Sequence, residues 1–185
     1  MRSKFMARLI IINGVALSGK DTFAEFLKKI CSDTVEYHST IQTVKDAAKH
    51  FGADEEVAKG DEERLLWCEM KDLYTKYNNG PFNEVLAHMA MLDVPGKHPI
   101  LIAMVREPEE ITKLKRAFGL RCLTILVTRA EDIHIPDNDA DKNVANYPYD
   151  IEIRNDSNPE TLKLKARTVA DYLNATRGKF LDPWL

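Results

Sequence analysis

Gly14 and Gly19 frame four intervening residues, and Lys20 follows the second glycine. A loop with the spacing G-x-x-x-x-G-K can turn successive backbone N–H groups toward one centre. A helix that starts there adds its positive N-terminal end. Glycine allows the close backbone approaches that a side chain would block, and the lysine ammonium supplies a point charge for the β and γ phosphates. The chemistry expected of Gly14, Val15, Ala16, Leu17, Ser18, Gly19, Lys20, Asp21 and Thr22 is therefore the holding of a nucleoside triphosphate, with Lys20 in the catalytic set. The residue after Lys20 is Asp21, where such loops usually carry a Ser or Thr hydroxyl for magnesium. Two readings of Asp21 stay open: an oxygen ligand for Mg²⁺, or an acid favoured by the helix dipole.

Two arginines share a second feature, since each directly follows an apolar run. Arg106 follows Pro99 to Val105, and Arg129 follows Arg121 to Thr128. Arginine's planar fork binds phosphate oxygens in pairs and keeps its charge. The first of these runs ends in Arg106-Glu107, where a nucleotide-binding strand commonly ends in Asp. Glu107 is a second candidate metal ligand, or else the acid that opens the helix at Pro108. Arg64 and Lys71 lie seven residues apart on a charged helix, and surface salt links there are the competing expectation.

These residues need elements to position them. Ala7 to Asn13 is a short Ile-rich run that reads as a strand buried on both faces. Lys20 to Cys31 carries Phe23, Phe26, Leu27 and Ile30 at helical spacing. Thr34 to Ser39 reads as a second strand. Ser39 or Thr40 is placed to cap a helix with Ile41, Val44 and Ala48 inward. Asp61 to Tyr77 reads as an amphipathic helix with Leu66, Met70, Leu73 and Tyr77 on one stripe, broken at Asn78-Asn79-Gly80-Pro81. Phe82 to Asp93 reads as another helix and Pro99 to Val105 as a buried strand. Pro108 opens a helix closed by Gly119, and Arg121 to Thr128 is the next buried strand. Arg129 to Pro148 is polar and reads as a loop or lid; its acids Asp137, Asp139 and Asp141 read as solvated. Tyr149 to Arg154 is the last strand, and Asn158-Pro159 opens the last helix. Alternation of strands with helices predicts an α/β fold with a parallel sheet between two helical layers. Ligands in such folds sit at the carboxyl ends of strands, so Gly14, Arg106 and Arg129 are expected to converge.

The chain has 185 residues, 44% apolar and 30% charged, with a formal net charge of −3. That length suits one domain spanning 1–185, and the mild acidity argues against a general nucleic-acid binder. Cys31, Cys68 and Cys122 stand far apart, which fits neither a disulfide framework nor a zinc site. The apolar run after Arg8 is too short for a signal peptide core or a membrane span, so a cytoplasmic, unanchored protein is expected. The apolar tail Phe180 to Leu185 is expected to pack on the body or to form a homodimer contact.

The run Asn13 to Thr22 resembles the nucleoside monophosphate kinase branch of P-loop proteins. Its Gly-Lys-Asp-Thr ending is similar to phage-type deoxynucleoside monophosphate kinases. Softer similarity to a related bacterial and prophage group covers His38-Ser39-Thr40-Ile41, Asp61-Glu62-Glu63-Arg64, Lys71-Asp72-Leu73, Tyr77 to Pro81, Val105 to Ile111 and Asn146 to Asp150. The resemblance implies a three-layer P-loop kinase fold with sheet order 2-3-1-4-5. It implies ATP and Mg²⁺ as cofactors, an acceptor-binding helical region at 40–96 and a lid at 129–148. It casts Arg106 as the grip on the acceptor's phosphate, with Arg64 and Lys71 as candidates for the same anion. Arg129 would reach the transferred phosphoryl group. The expected substrate is a small nucleotide, with no nucleic-acid or membrane partner. Two alternatives stay open. One is a kinase of another phosphorylated metabolite, of the phosphomevalonate or dephospho-coenzyme A type, whose discriminating feature is whether Trp67, Tyr74, Tyr77, Asn78 and Asn79 form a base pocket. The other is a nucleotide-binding protein without turnover.

Overall fold

The computed structural model describes residues 7–53, 61–129, 144–156 and 158–176. Five strands form one parallel sheet: β1 (Arg8–Asn13), β2 (Val35–Ser39), β3 (Ile100–Met104), β4 (Cys122–Thr128) and β5 (Ile151–Arg154). Their order is β2-β3-β1-β4-β5, the order that the resemblance implied. The helices are α1 (Lys20–Ile30), α2 (Gln42–Lys49), α3 (Asp61–Asn78), α4 (Gly80–Leu92), α5 (Pro108–Phe118) and α6 (Pro159–Ala175).

The middle strands are apolar on both faces because both faces are covered. Ile10, Ile12, Ile102, Ile125 and Val127 pack on Phe23 and Leu27 of α1 and on Leu162, Ala166 and Leu173 of α6. Leu9, Ile11, Leu101 and Ala103 pack on Val85 and Met89 of α4 and on Ile111 and Leu114 of α5. β1 lies at the centre with all six of its residues buried. Its first residue, Arg8, is fully buried yet bonded: Nη1 donates to the Leu173 carbonyl at 2.5 Å and Nη2 pairs with Asp33 at 2.9 Å. A cation at the last turn of α6 meets the negative end of that helix.

Most element boundaries follow the sequence pattern, and two local expectations fail. Thr40 does not cap α2. Its hydroxyl is buried and donates to the Met104 carbonyl at 3.0 Å, while the cap position is Ile41, with no side-chain bond. A buried hydroxyl takes whichever acceptor is within reach, and here that is a strand end. The stripe Leu66-Met70-Leu73-Tyr77 is not the inward face of α3: Leu73 and Tyr77 are 69% and 84% exposed, while Lys71 is buried. The helix is turned so that Lys71 meets acids on the neighbouring elements, and a buried charge requires such partners.

The last helix starts as expected, with Asn158 Oδ1 accepting from Thr161 N at 3.0 Å. Gly119 closes α5 with φ at +52°. Cys31, Cys68 and Cys122 are free thiols. Among the described residues no helix is long and apolar enough to cross a membrane. Most of the expected lid, with Asp137, Asp139 and Asp141, and the apolar tail lie outside the described residues.

Candidate functional site

The loop between β1 and α1 is shaped by what its residues lack as much as by what they carry. A Cβ on Gly14 would stand 2.5 Å from both Ser18 Oγ and the Val127 carbonyl. Gly19 precedes α1 at φ +91°, and Phe23 N donates to its carbonyl at 2.9 Å to begin the helix. Leu17 also takes a left-handed conformation, φ +63°, although it is not glycine and is 78% exposed. That choice costs about 1–2 kcal/mol, and strain of this kind gathers where backbone dipoles must be aimed. Left-handed residues within a turn build an anion-binding concavity of N–H groups. Lys20 opens α1 with its side chain nearly buried. Its Nζ is 3.4 Å from the Val15 carbonyl and 3.8 Å from Asp21. The ammonium is thus folded back over the loop.

Residues at the ends of β3, β4 and β5 contact this loop or the strand residue before it. Asn13, the last residue of β1, is the junction. Its Oδ1 accepts from Gly14 N at 2.8 Å, and its Nδ2 donates to the Arg106 carbonyl at 3.1 Å and to the Tyr149 hydroxyl at 2.7 Å. Tyr149 in turn donates to the Val144 carbonyl at 2.9 Å. Burial pushes this phenol up to about 12, with the Asn13 hydrogen bond pulling the other way, so it stays a donor at neutral pH. On the other side of the loop, Arg129 Nη1 lies 3.4 Å from the Leu17 carbonyl. Asn155, just beyond β5, donates to the Ser18 carbonyl at 2.9 Å. Asn13, Tyr149 and Asn155 were not singled out as site residues from sequence. Asn13 closes a buried strand at the ligand edge after the apolar run Leu9 to Ile12, a signal visible in the sequence, whereas Asn155 follows the alternating strand Ile151–Arg154 and carries no such signal.

The carboxylates divide in two. Asp21 is exposed in the first turn of α1, with the Tyr37 hydroxyl 3.5 Å from its Oδ1. Burial, then the Asp21 charge, pushes the Tyr37 phenol up to about 12. Asp21 is therefore open to a cation beside the phosphate loop. Glu107 is engaged elsewhere: its Oε2 pairs with Lys71 at 2.5 Å, and Lys71 lies 3.6 Å from Glu110 Oε2. Among the described residues no group of three or more His, Cys, Asp or Glu side chains forms a metal cage. Magnesium keeps several waters and takes phosphate oxygens, so one carboxylate such as Asp21 is a sufficient protein share.

Lys71, a candidate for the acceptor anion with salt links as the competing reading, ties α3 to the start of α5. Removing Lys71 leaves the part-exposed Glu107 carboxylate without its partner, a loss of about 1–3 kcal/mol for one charge-assisted hydrogen bond. Lys71→Met is therefore expected to lower the chemical-denaturation stability by that order, which a urea unfolding curve would read. Burial works against the charge of Glu107, but Lys71 outweighs it and holds that carboxyl below its usual range. Burial pushes Glu110 up to about 7; Lys71 opposes the rise and the neighbouring Glu107 charge adds to it. The folded chain thus keeps a proton on Glu110 that the unfolded chain releases from about pH 4.5 upward. The stability this gives is whole below the ordinary carboxylate range and is lost as pH rises toward 7. Glutamine mimics the protonated acid, so the thermal midpoint of Glu110→Gln relative to wild type is expected to be higher at pH 8 than at pH 5. Equal differences at the two pH values would contradict the placement of that proton.

Arg106 is half-buried at the β3 edge, and Arg64 is exposed on α3. His38 does not reach the strand end. It pairs in register with Ala103, and its Nε2 lies 3.3 Å from Glu84 of α4. The α3 aromatics are spread between neighbour contacts and the surface, with Tyr77 84% exposed. Tyr74 donates to Glu84 at 3.0 Å, Lys45 Nζ sits 4.7 Å above the Trp67 ring, and Met70, Leu73, Tyr74 and Tyr77 line an apolar depression of about 340 Å³.

No family model matches the chain, and no curated protein matches it. Solved structures do. A candidate kinase from Chloroflexus aurantiacus j-10-fl matches at a TM-score of 0.54 and 13% identity, over 92% of this chain and 98% of that one. The protein APE1195 matches at 0.51 and 15% identity, over 92% and 97% of the two chains. Shikimate kinase from Aquifex aeolicus vf5 matches more loosely, at 0.47 and 13% identity, over 91% and 99%. At such identities the likeness is one of architecture. With a parallel sheet of order β2-β3-β1-β4-β5 and helices on both faces, the chain has the P-loop kinase fold.

Proposed function

We propose that this chain is a small-molecule kinase that binds ATP on Gly14 to Thr22 and transfers the γ-phosphoryl group to a nucleoside or deoxynucleoside monophosphate. The observation that carries the reading is the meeting at one loop of the Arg106 carbonyl, through Asn13, and the Arg129 guanidinium, at Leu17. Phosphoryl transfer requires two anions held in line and their charge neutralised, with little covalent work by the protein. Lys20 and the loop amides hold the donor phosphates. Arg106 orients the acceptor's phosphate, with Arg64 as a second candidate across the helical region at 40–96. Arg129 approaches the transferred group from the root of the lid at 129–148. Asp21 would hold Mg²⁺, which when bound neutralises charge on the β and γ phosphates.

A second reading, nucleotide binding without turnover, is favoured by one observation: β3 ends without an acid, and the nearest carboxylate, Glu107, is committed to Lys71. One sample separates the two. ADP release is followed with ATP, Mg²⁺ and each ribo- and deoxyribonucleoside monophosphate in turn, and thermal stabilisation by ATP is measured in parallel. Acceptor-dependent ADP release supports the kinase. ATP stabilisation with no release from any monophosphate removes that acceptor class and leaves the binding reading. No stabilisation removes both.

A further inference from the structure

The proposed function uses the inner surface of the phosphate loop and leaves its outer surface without an account. Asn155 occupies that outer surface. Its backbone N donates to the Thr128 carbonyl at 2.7 Å, which fixes it at the ends of both β4 and β5. Its side-chain Nδ2 donates to the Ser18 carbonyl at 2.9 Å. The amide packs close to Gly19: a Cβ at that position would fall against Asn155 Nδ2, with Leu162 Cδ2 at 3.7 Å. Gly19 is thus doubly required, for its left-handed φ of +91° and for the seat it leaves to this amide.

Peptide planarity turns this contact into an orienting device. In a trans peptide the carbonyl of one residue points opposite to the N–H of the next. A Ser18 carbonyl held toward Asn155 therefore turns the Gly19 N–H the opposite way, away from Asn155. We propose that Asn155 is a positioning residue of the phosphate loop, holding the Ser18 carbonyl outward so that the Gly19 N–H is aimed at a bound polyphosphate. This inference rests on the nucleotide-binding reading above. It adds to that reading a residue from the far edge of the sheet, which acts through the loop and not on the nucleoside.

The test uses the full chain with Asn155→Leu and Asn155→Asp. The first removes the donor at similar size; the second sets a carboxylate oxygen against the Ser18 carbonyl. Affinities for ATP and for inorganic tripolyphosphate, both with Mg²⁺, are measured by calorimetry, and the ligand-free thermal midpoint is recorded for each protein. Loss of one well-made hydrogen bond corresponds to about tenfold in affinity. Both variants are expected to weaken ATP and tripolyphosphate by about tenfold each and by the same factor. A fall for ATP alone would place Asn155 on the nucleoside and overturn the proposal. So would unchanged affinity for both probes, including a case where only the thermal midpoint drops. If wild type binds neither probe, the nucleotide-binding reading falls and this inference falls with it. If wild type binds and the variants match it, this inference falls alone.

Discussion

Replacing Lys20 with alanine is expected to weaken ATP binding by a factor of several hundred and to remove turnover, with the chain still folded. The ammonium is held inside the loop 3.4 Å from the Val15 carbonyl, in a side chain 11% exposed. Its charge is thus already held at the loop before any ligand arrives. Hydrogen bonds to charged groups contribute about 1.5–3 kcal/mol each, and a lysine that bridges two phosphates makes more than one. Such losses correspond to roughly two to three powers of ten in affinity. Fold loss is not expected, because Lys20 opens α1 at its first residue and the apolar face of that helix, Phe23, Ala24 and Leu27, is untouched. Lys20→Arg is expected to fail as well, since the longer planar fork does not fit a loop built around a point charge. Calorimetric titration with ATP checks binding, and circular dichroism checks the fold. A folded Lys20→Ala protein with wild-type ATP affinity would end the phosphate-loop reading.

The second large effect is expected at Arg106. Arg106→Ala is predicted to lower turnover at subsaturating acceptor by roughly 10²–10⁴, the loss of two charge-assisted hydrogen bonds of about 1.5–3 kcal/mol each to the acceptor's phosphate. ATP affinity is expected to change only a few-fold, because the Arg106 contact to the loop is made by its carbonyl, to Asn13, and the substitution keeps that carbonyl. Arg106→Lys keeps the charge and loses the paired donors, so most of the loss should remain. Steady-state rates with the acceptor identified in the screen, set beside ATP titrations of the same variants, separate the two effects. An Arg106→Ala protein that loses ATP binding and turnover in equal measure would show that the residue supports the donor loop and not the acceptor.

The contrast between Lys71 and Arg106 shows how far residue types carry. Both are cations placed near the acceptor region by the sequence pattern. Arg106 follows a strand whose five residues are all buried, and a residue after such a strand must emerge at the ligand edge. Lys71 lies on a helix, where position along the chain leaves rotation undetermined. An apolar stripe at 66, 70, 73 and 77 pointed one way, and the buried acid Glu110 with its neighbour Glu107 turned the helix another. Their attraction for Lys71 is a contact between residues 36 and 39 positions apart, which no local pattern encodes.

What the sequence by itself determined is what local physics enforces. Strands apolar throughout must be covered on both faces, so the sheet is parallel and central. Glycines at 14 and 19 between a buried strand and a helix mark the turn that joins them, with a lysine at its helical end. Tertiary structure alone decided which distant groups complete the site. Asn13 joins the loop to Arg106 and Tyr149, Asn155 reaches the loop across 137 positions of chain, and Glu107 is drawn to Lys71. These partners meet because the order β2-β3-β1-β4-β5 sets strand ends side by side that are far apart in sequence. A polar side chain at such an end takes the nearest unmet donor or acceptor, and the identity of that neighbour belongs to the assembled sheet.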